Sequence, residues 1–368
     1  MDLPVTAASA NSIAAPDLRR LLIVRLGSMG DIFHTLPAAA ALRHAFPEAT
    51  LGWIVEERWA ELLCTLPEPR CGPRSPRRPL VDCLHAVNTK GWRASLLSLQ
   101  TWERIAAAGS ELRAQRYEVA VDFQGAVKSA AFARWSGAPT IYGFAQPREN
   151  AASMFYTSQV IAQGRHIVEQ NLSLAERVAR RPLELQAIEC PCDHAAEKYC
   201  EGWLRREAIG DFILLNPGAG WGAKQWPAER YGRLAKQLSE DGLASLINVG
   251  PGEERLARAV EAASEEEARV LSCSLSQLMA FTRRAKLLIG GDTGPMHMAA
   301  AFGIPVVAIF GPTNPARNGP FGTRSIVLRS ASSPTTHARR AAPDPGLLEI
   351  SADQVVAAAR QLLGESYG

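Results

Sequence analysis

The stretch from Lys286 to Gly319, KLLIGGDTGPMHMAAAFGIPVVAIFGPTNPARNG, limits the fold of this chain more than any other. A short apolar run, Leu287 to Ile289, reads as a buried strand, and Gly290-Gly291-Asp292-Thr293-Gly294 turns it into a helical pattern from Pro295 to Phe302. Gly303 breaks that pattern, and Pro305 to Phe310 is a second buried strand. This is a βαβ unit of an α/β protein. Its Gly-rich turn has little side-chain bulk, so backbone N–H groups can face an anion, and the helix adds roughly half a positive charge at that end. Asp292, Thr293 and His297 stand where side chains reach a ligand there, although Asp292 or Thr293 could equally serve as a helix cap.

The same rhythm opens the chain. Leu21 to Leu26, LLIVRL, is apolar except for Arg25, as in an inner strand of a parallel sheet. Gly27-Ser28-Met29-Gly30-Asp31 follows, then a helical pattern from Leu36 to Phe46 with Pro37 in its first turn. Asp31 thus rides at the carboxyl end of a strand, where a carboxylate can take a proton from a hydroxyl or can simply cap a turn. Further strands read at Leu51 to Val55, Val119 to Phe123, Ile141 to Phe144, Phe212 to Leu215, Ala244 to Val249 and Ser325 to Leu328. Repeated βα units in both halves predict two doubly wound, Rossmann-like α/β domains facing across a cleft. Periodicity lapses near Arg181 to His194. The expected division is a disordered leader over 1–20, a first domain over 21–185, a second over 195–350 and a C-terminal helix over 351–368.

Composition narrows the class. At 368 residues, 47% apolar and 21% charged, the chain has the make-up of a soluble or peripheral globular protein, and no apolar run approaches the roughly 20 residues of a membrane span. The first 17 residues lack the basic start and apolar stretch of a secretion signal. Seven cysteines without CxxC metal spacing fit reduced thiols in the cytosol. A net charge of +3 gives no argument for nucleic acid. Local charge matters more: between Leu66 and Arg116 nine Lys or Arg face four acids, five prolines lie between Pro67 and Pro79, and the result reads as a long basic loop. It is either a solvated face or a field that attracts an anionic acceptor or a membrane surface.

Two turns need weighing. Residues 218–223 formally satisfy a dinucleotide fingerprint, but Lys224-Gln225-Trp226 intervene before Pro227 can start a helix, and no acid ends the next strand. Asn248 to Glu254 ends a strand and starts a helix, which places Glu253 or Glu254 to accept from ribose hydroxyls or to sit as a first-turn acid.

The literal residues then point to a family. GGDTGPMHMAAAFGIPVVAIFGPTNP, the segment LLIVRLGSMGDIFHTLPAAAALRHAF, the D-x-Q-G-x-x-K-S-A match at Asp122, Gln124, Gly125, Lys128 and Ser129, and K-x-W-P from Lys224 together resemble the bacterial heptosyltransferases, glycosyltransferase family 9. The resemblance covers nearly the whole chain after residue 20 and implies the GT-B arrangement, with the acceptor on the first domain and an activated sugar on the second. It implies Asp31 as catalytic base and Lys224 as the cation that steadies the departing diphosphate. It implies Asp292, Thr293, Gly294, His297 and Glu254 or Glu253 around the donor. Ser28, Met29, Gly30, Gln124, Lys128, Arg148 and His166 would lie around the acceptor. By the same resemblance the donor is ADP-L-glycero-β-D-manno-heptose and the acceptor a Kdo-lipid A type anionic glycolipid. The enzyme would be an inverting, cofactor-free monomer in the cytoplasm, at the inner face of the inner membrane. No Asp-x-Asp motif is seen, so a metal is not required. A relative using another sugar or a later core acceptor, or a non-catalytic sugar-nucleotide binder, are the alternatives. The basic loop departs from the family spacing, so no single arginine in it is assigned.

Overall fold

The computed structural model describes residues 17–336, 338 and 340–364. Most of the leader expected over 1–20 lies outside them. Its described end is packed, with Leu18 buried and Arg20 opening the first strand.

Strands β1 (Arg20–Val24), β2 (Thr50–Glu56), β3 (Cys83–Val87), β4 (Val119–Asp122), β5 (Thr140–Phe144) and β6 (Ser158–Val160) form one parallel sheet in the order β3-β2-β1-β4-β5-β6. Strands β7 (Phe212–Asn216), β8 (Ala244–Asn248), β9 (Ala268–Leu271), β10 (Leu287–Gly291), β11 (Val306–Phe310) and β12 (Ser325–Arg329) form a second in the order β12-β11-β10-β7-β8-β9. Strand order reverses between β1 and β4 and again between β7 and β10. In a doubly wound sheet the crevice for a ligand opens at the carboxyl ends of such a pair. Asp31 follows β1 and Gln124 follows β4; Lys224 follows β7 and Asp292 follows β10. This is the GT-B arrangement.

The helix Met29–Ala45 begins at Met29, not at Leu36, so Pro37 sits well inside it. The start is set by S-M-G-D: the Ser28 N–H donates to Asp31 Oδ2 at 2.9 Å, a capping interaction that outweighs the proline signal. The helix is buried almost all round because it packs on its own sheet, on the helix Ile167–Ala179, and on the second lobe's helix Gly294–Ala301. The lobes share one apolar seam, in which Met279 and Met298 join the cluster that holds Ile23, Ile32 and Trp53, and Phe33 meets Phe302 edge to face at 6.1 Å. Each such buried methionine contributes roughly 1.5–3 kcal/mol against exposure. A polar clasp adds to the seam: Glu61 Oε2 accepts from Ser276 N and Oγ at 3.1 and 2.7 Å, capping the helix Leu275–Arg284 from the other lobe. The final helix, Ala352–Gly364, packs through Val355, Val356, Ala359 and Leu362 onto the second lobe.

The cysteines differ from expectation in one pair, since Cys71 and Cys83 are joined by a disulfide. The proline-rich segment folds back on β3, with Gly72 N donating to Asp82 O at 3.0 Å and Leu84 N to Arg70 O at 2.7 Å, which sets the two thiols opposite each other. Within that segment Arg78 is fully buried and donates to the carbonyls of Pro69, Gly72, Pro73 and Val81, so it braces the loop rather than facing a ligand.

Candidate active site

The first-lobe side of the crevice is built around Asp31. As the third residue of its helix it accepts from Ser28 N through Oδ2, and from Ser28 Oγ at 3.1 Å. Its Oδ1 meets Arg25 Nη2 at 2.6 Å. Burial would raise the carboxyl, but the Arg25 cation and the Ser28 donors outweigh it and hold Asp31 below the ordinary carboxylate value. The side chain keeps 35% of its surface exposed, so lone pairs remain for an incoming hydroxyl. Behind it, Asp122 is wholly buried and accepts from Gln124 N, Gly125 N, Ser129 Oγ and Tyr156 Oη, which shapes the turn after β4.

The second-lobe side is built around Asp292. Lys224 Nζ donates to its Oδ2 at 2.6 Å and lies 5.3 Å from the Trp221 ring centroid. His297 Nε2 lies 3.1 Å from Oδ1. Burial opposes the charge, yet His297 and Lys224 hold the Asp292 carboxyl far below its usual range. Asn216, the last residue of β7, knits three turns together: its Nδ2 donates to Thr293 Oγ1 at 3.0 Å and to Gly218 O at 3.1 Å, while its Oδ1 accepts from Asn248 Nδ2 at 2.7 Å.

His297 joins the two sides. With Nε2–H given to the Asp292 carboxylate, its Nδ1 meets His34 Nε2 from the first lobe at 3.0 Å. Burial, with His297 and His166 beside it, keeps His34 well below the ordinary histidine value, so His34 is neutral at neutral pH. The chain Lys224, Asp292, His297, His34 therefore runs from the second lobe into the helix that carries Asp31. Contact between the lobes needs glycine at two points: a Cβ on Gly30 would lie 2.5 Å from His297 Cδ2, and one on Gly294 would lie 2.5 Å from Met29 Sδ. A cavity of about 1130 Å³ opens between the lobes beside the segment 185–192, with His34 and His297 in its wall beside Phe33, Pro37 and Phe302; Asp31, Lys224 and Asp292 do not line it.

Two ligand turns that face each other across doubly wound lobes match a known family. Residues 105–345 fit the model of glycosyltransferase family 9 (heptosyltransferase). The chain belongs to glycosyltransferase family 9. It is 31% identical over 324 residues to the lipopolysaccharide heptosyltransferase 1 of Pseudomonas aeruginosa, an alignment covering 84% of each chain. Among solved structures it resembles the Escherichia coli heptosyltransferase WaaC with ADP-2-deoxy-2-fluoro heptose, with a TM-score of 0.71 and 26% identity over 94% of this chain and 99% of that one. A family 9 glycosyltransferase from Veillonella parvula shares the fold, with a TM-score of 0.79 and 22% identity over 95% and 98% of the two chains. The protein is thus a heptosyltransferase of lipopolysaccharide core synthesis.

In this family 9 enzyme the expected residues fall into two groups. At the seam Gly30 abuts His297 and Met29 abuts Gly294; Ser28 and Asp31 sit in the same first turn of their helix, while on the other lobe Asp292 holds Lys224 and His297 and Thr293 joins Asn216. Glu253 accepts from Gly250 N at 2.9 Å and its carboxylate covers Gly218 in the turn after β7, whereas Glu254 is exposed and accepts from Gly252 N at 3.2 Å. Arg148 is exposed beyond β5. The others carry structural contacts. Gln124 Oε1 accepts from Leu26 N at 2.8 Å, and Lys128 Nζ is held by Glu56 Oε1 and Thr89 Oγ1, both at 2.8 Å. His166, expected near the acceptor, is buried at a helix start and donates through Nε2 to Gly319 O of the other lobe at 3.0 Å, stacked on Phe321. Arg25, His34, Asn216 and Asn248 were not anticipated. The signal for Arg25 was present, as a lone charge in an apolar run. Asn216 and Asn248 share a signal too, each ending an apolar strand.

Proposed function

We propose that this heptosyltransferase moves heptose from ADP-L-glycero-β-D-manno-heptose to a hydroxyl of a Kdo-lipid A type acceptor, in one inverting, metal-independent displacement. The acceptor oxygen forms its bond to the anomeric carbon as the bond from that carbon to the β-phosphate oxygen breaks. The proton passes to Asp31, and ADP departs with the electron pair. A carboxylate held below its ordinary pKa is too weak a base to ionise an alcohol beforehand, so proton transfer accompanies bond formation. Lys224, released in part from Asp292, meets the diphosphate together with the first-turn N–H groups of the helix Gly294–Ala301. Glu253 faces the ribose. The enzyme acts as a monomer at the cytoplasmic face of the inner membrane.

One observation carries this reading: the helix that bears a partly exposed, ionised Asp31 meets, through its Gly30 and His34, the His297 that is bonded to Asp292 of the Lys224–Asp292 pair. The fluoro-heptose nucleotide in the related Escherichia coli structure supports the donor. The test is turnover of ADP-heptose with purified Kdo-lipid A and with a panel of later core acceptors, with and without chelator, and with the product anomer assigned by NMR. Asp31→Asn should bind ADP as the wild type does and lose about 10²–10⁴-fold in turnover. Near-normal turnover by that variant would remove Asp31 as base, and retained anomeric configuration would remove the single displacement.

A further inference from the structure

The large apolar side chains that stay exposed are concentrated. Leu96, Leu97, Leu99 and Trp102 crowd the turn between the helices Thr89–Ala94 and Leu99–Ala114, with exposures of 48, 103, 81 and 54%. Monomeric proteins seldom leave such a cluster in water without a use for it. The turn is built rather than slack: the Trp102 indole N–H donates to Leu96 O at 2.8 Å, and buried Thr101 holds Ser95 through a 2.9 Å hydroxyl pair. Met154 and Ile161, each 79% exposed, follow β5 and β6. Because β3, β5 and β6 lie parallel in one sheet, the chain leaves all three at the edge where Asp31 follows β1. Exposed Lys90, Arg93 and Arg104 surround the turn, against the single acid Glu103.

We propose that this edge of the first lobe is a membrane-docking face, on which the Leu96–Trp102 turn enters the interfacial layer of an anionic leaflet. Leucines supply the buried apolar area, a tryptophan with one polar atom suits the interfacial depth, and the cations meet anionic headgroups. No helix of the described residues is long and apolar enough to cross a membrane, so the contact is peripheral. A second copy is a poorer occupant, since a two-fold contact on this face would set Lys90, Arg93 and Arg104 against their own images. The face shares its edge with Asp31, so a sugar standing up from the leaflet is presented to the base. That advantage rests on the lipid acceptor proposed above; the docking itself does not.

The experiment is therefore run first without acceptor. The full chain is sedimented with vesicles of phosphatidylethanolamine and phosphatidylglycerol, and with vesicles of phosphatidylcholine alone. The wild type should partition to the anionic vesicles, and Leu97→Asp/Leu99→Asp should lose at least about tenfold of that partitioning. Turnover of a deacylated, water-soluble acceptor should be unchanged in the variant, while turnover of the same acceptor with its acyl chains embedded in vesicles should fall. Equal partitioning of both proteins, partitioning by neither, or a concentration-dependent dimer that only the variant loses would each overturn the docking face. Vesicle binding as expected, with no turnover of any Kdo-lipid acceptor, would uphold the face and sink the acceptor reading instead.

Discussion

Arg25 reaches Asp31 from the end of β1, its Nη2 2.6 Å from the carboxylate Oδ1, and it is itself almost fully buried. The pair keeps a carboxylate ionised where burial alone would favour its protonated form. Arg25→Met should raise the Asp31 pKa and move the acid limb of kcat/KM upward by about one pH unit or more. Arg25→Lys should restore much of the original profile, because the charge returns. A pH–rate profile unmoved in Arg25→Met would show that the pair does not set the ionisation of Asp31.

Lys224 has two candidate duties, pairing with Asp292 and meeting the donor diphosphate. Lys224→Met should lower turnover about 10²–10³-fold and weaken ADP binding. Titration calorimetry with ADP separates the duties: undiminished ADP affinity would confine Lys224 to its pairing with Asp292.

His34 makes a pH prediction with a definite sign. Its folded value is well below 6.5, so below that pH the unfolded chain gains a proton that the folded chain does not. Stability must then fall as pH is lowered through 6.5, at up to about 1.4 kcal/mol per pH unit for one such group. His34→Gln keeps an N–H for His297 and removes the titration. Urea midpoints measured from neutral to mildly acid pH should fall less steeply in this variant; an unchanged slope would assign the pH dependence elsewhere.

Gly30 lies in a helix, where alanine would ordinarily be favoured by roughly 0.5–1 kcal/mol. Here its Cβ would strike His297. Gly30→Ala should therefore fold but lose most turnover, because the lobes can no longer meet at the His34–His297 contact. Circular dichroism beside a turnover assay reads both, and an active Gly30→Ala enzyme would mean that this contact is dispensable.

What the sequence made legible was local. Asp31, Lys224 and Asp292 announce themselves because each belongs to a short strand–turn–helix signal, and the βα rhythm gave the two sheets. What escaped was non-local or faint. His34 and His297 are 263 residues apart, and no periodicity links them. Lys128, which the resemblance sets around the acceptor, is held by Glu56 and Thr89 from neighbouring strand ends, a pairing across 72 and 39 residues that no local pattern carries. The strand Ala268–Leu271, ARVL, is too short and mixed to signal itself, and Pro37 drew the helix start several residues too late.

The two glycine contacts at the seam are reciprocal, since the first lobe makes room for His297 while the second makes room for Met29. Neither half of the molecule is then a free-standing module. A chimera that takes its first lobe from one relative and its second from another can close only when both members of each pair travel together, so inheritance at Met29, Gly30, Gly294 and His297 is expected to be joint rather than site by site.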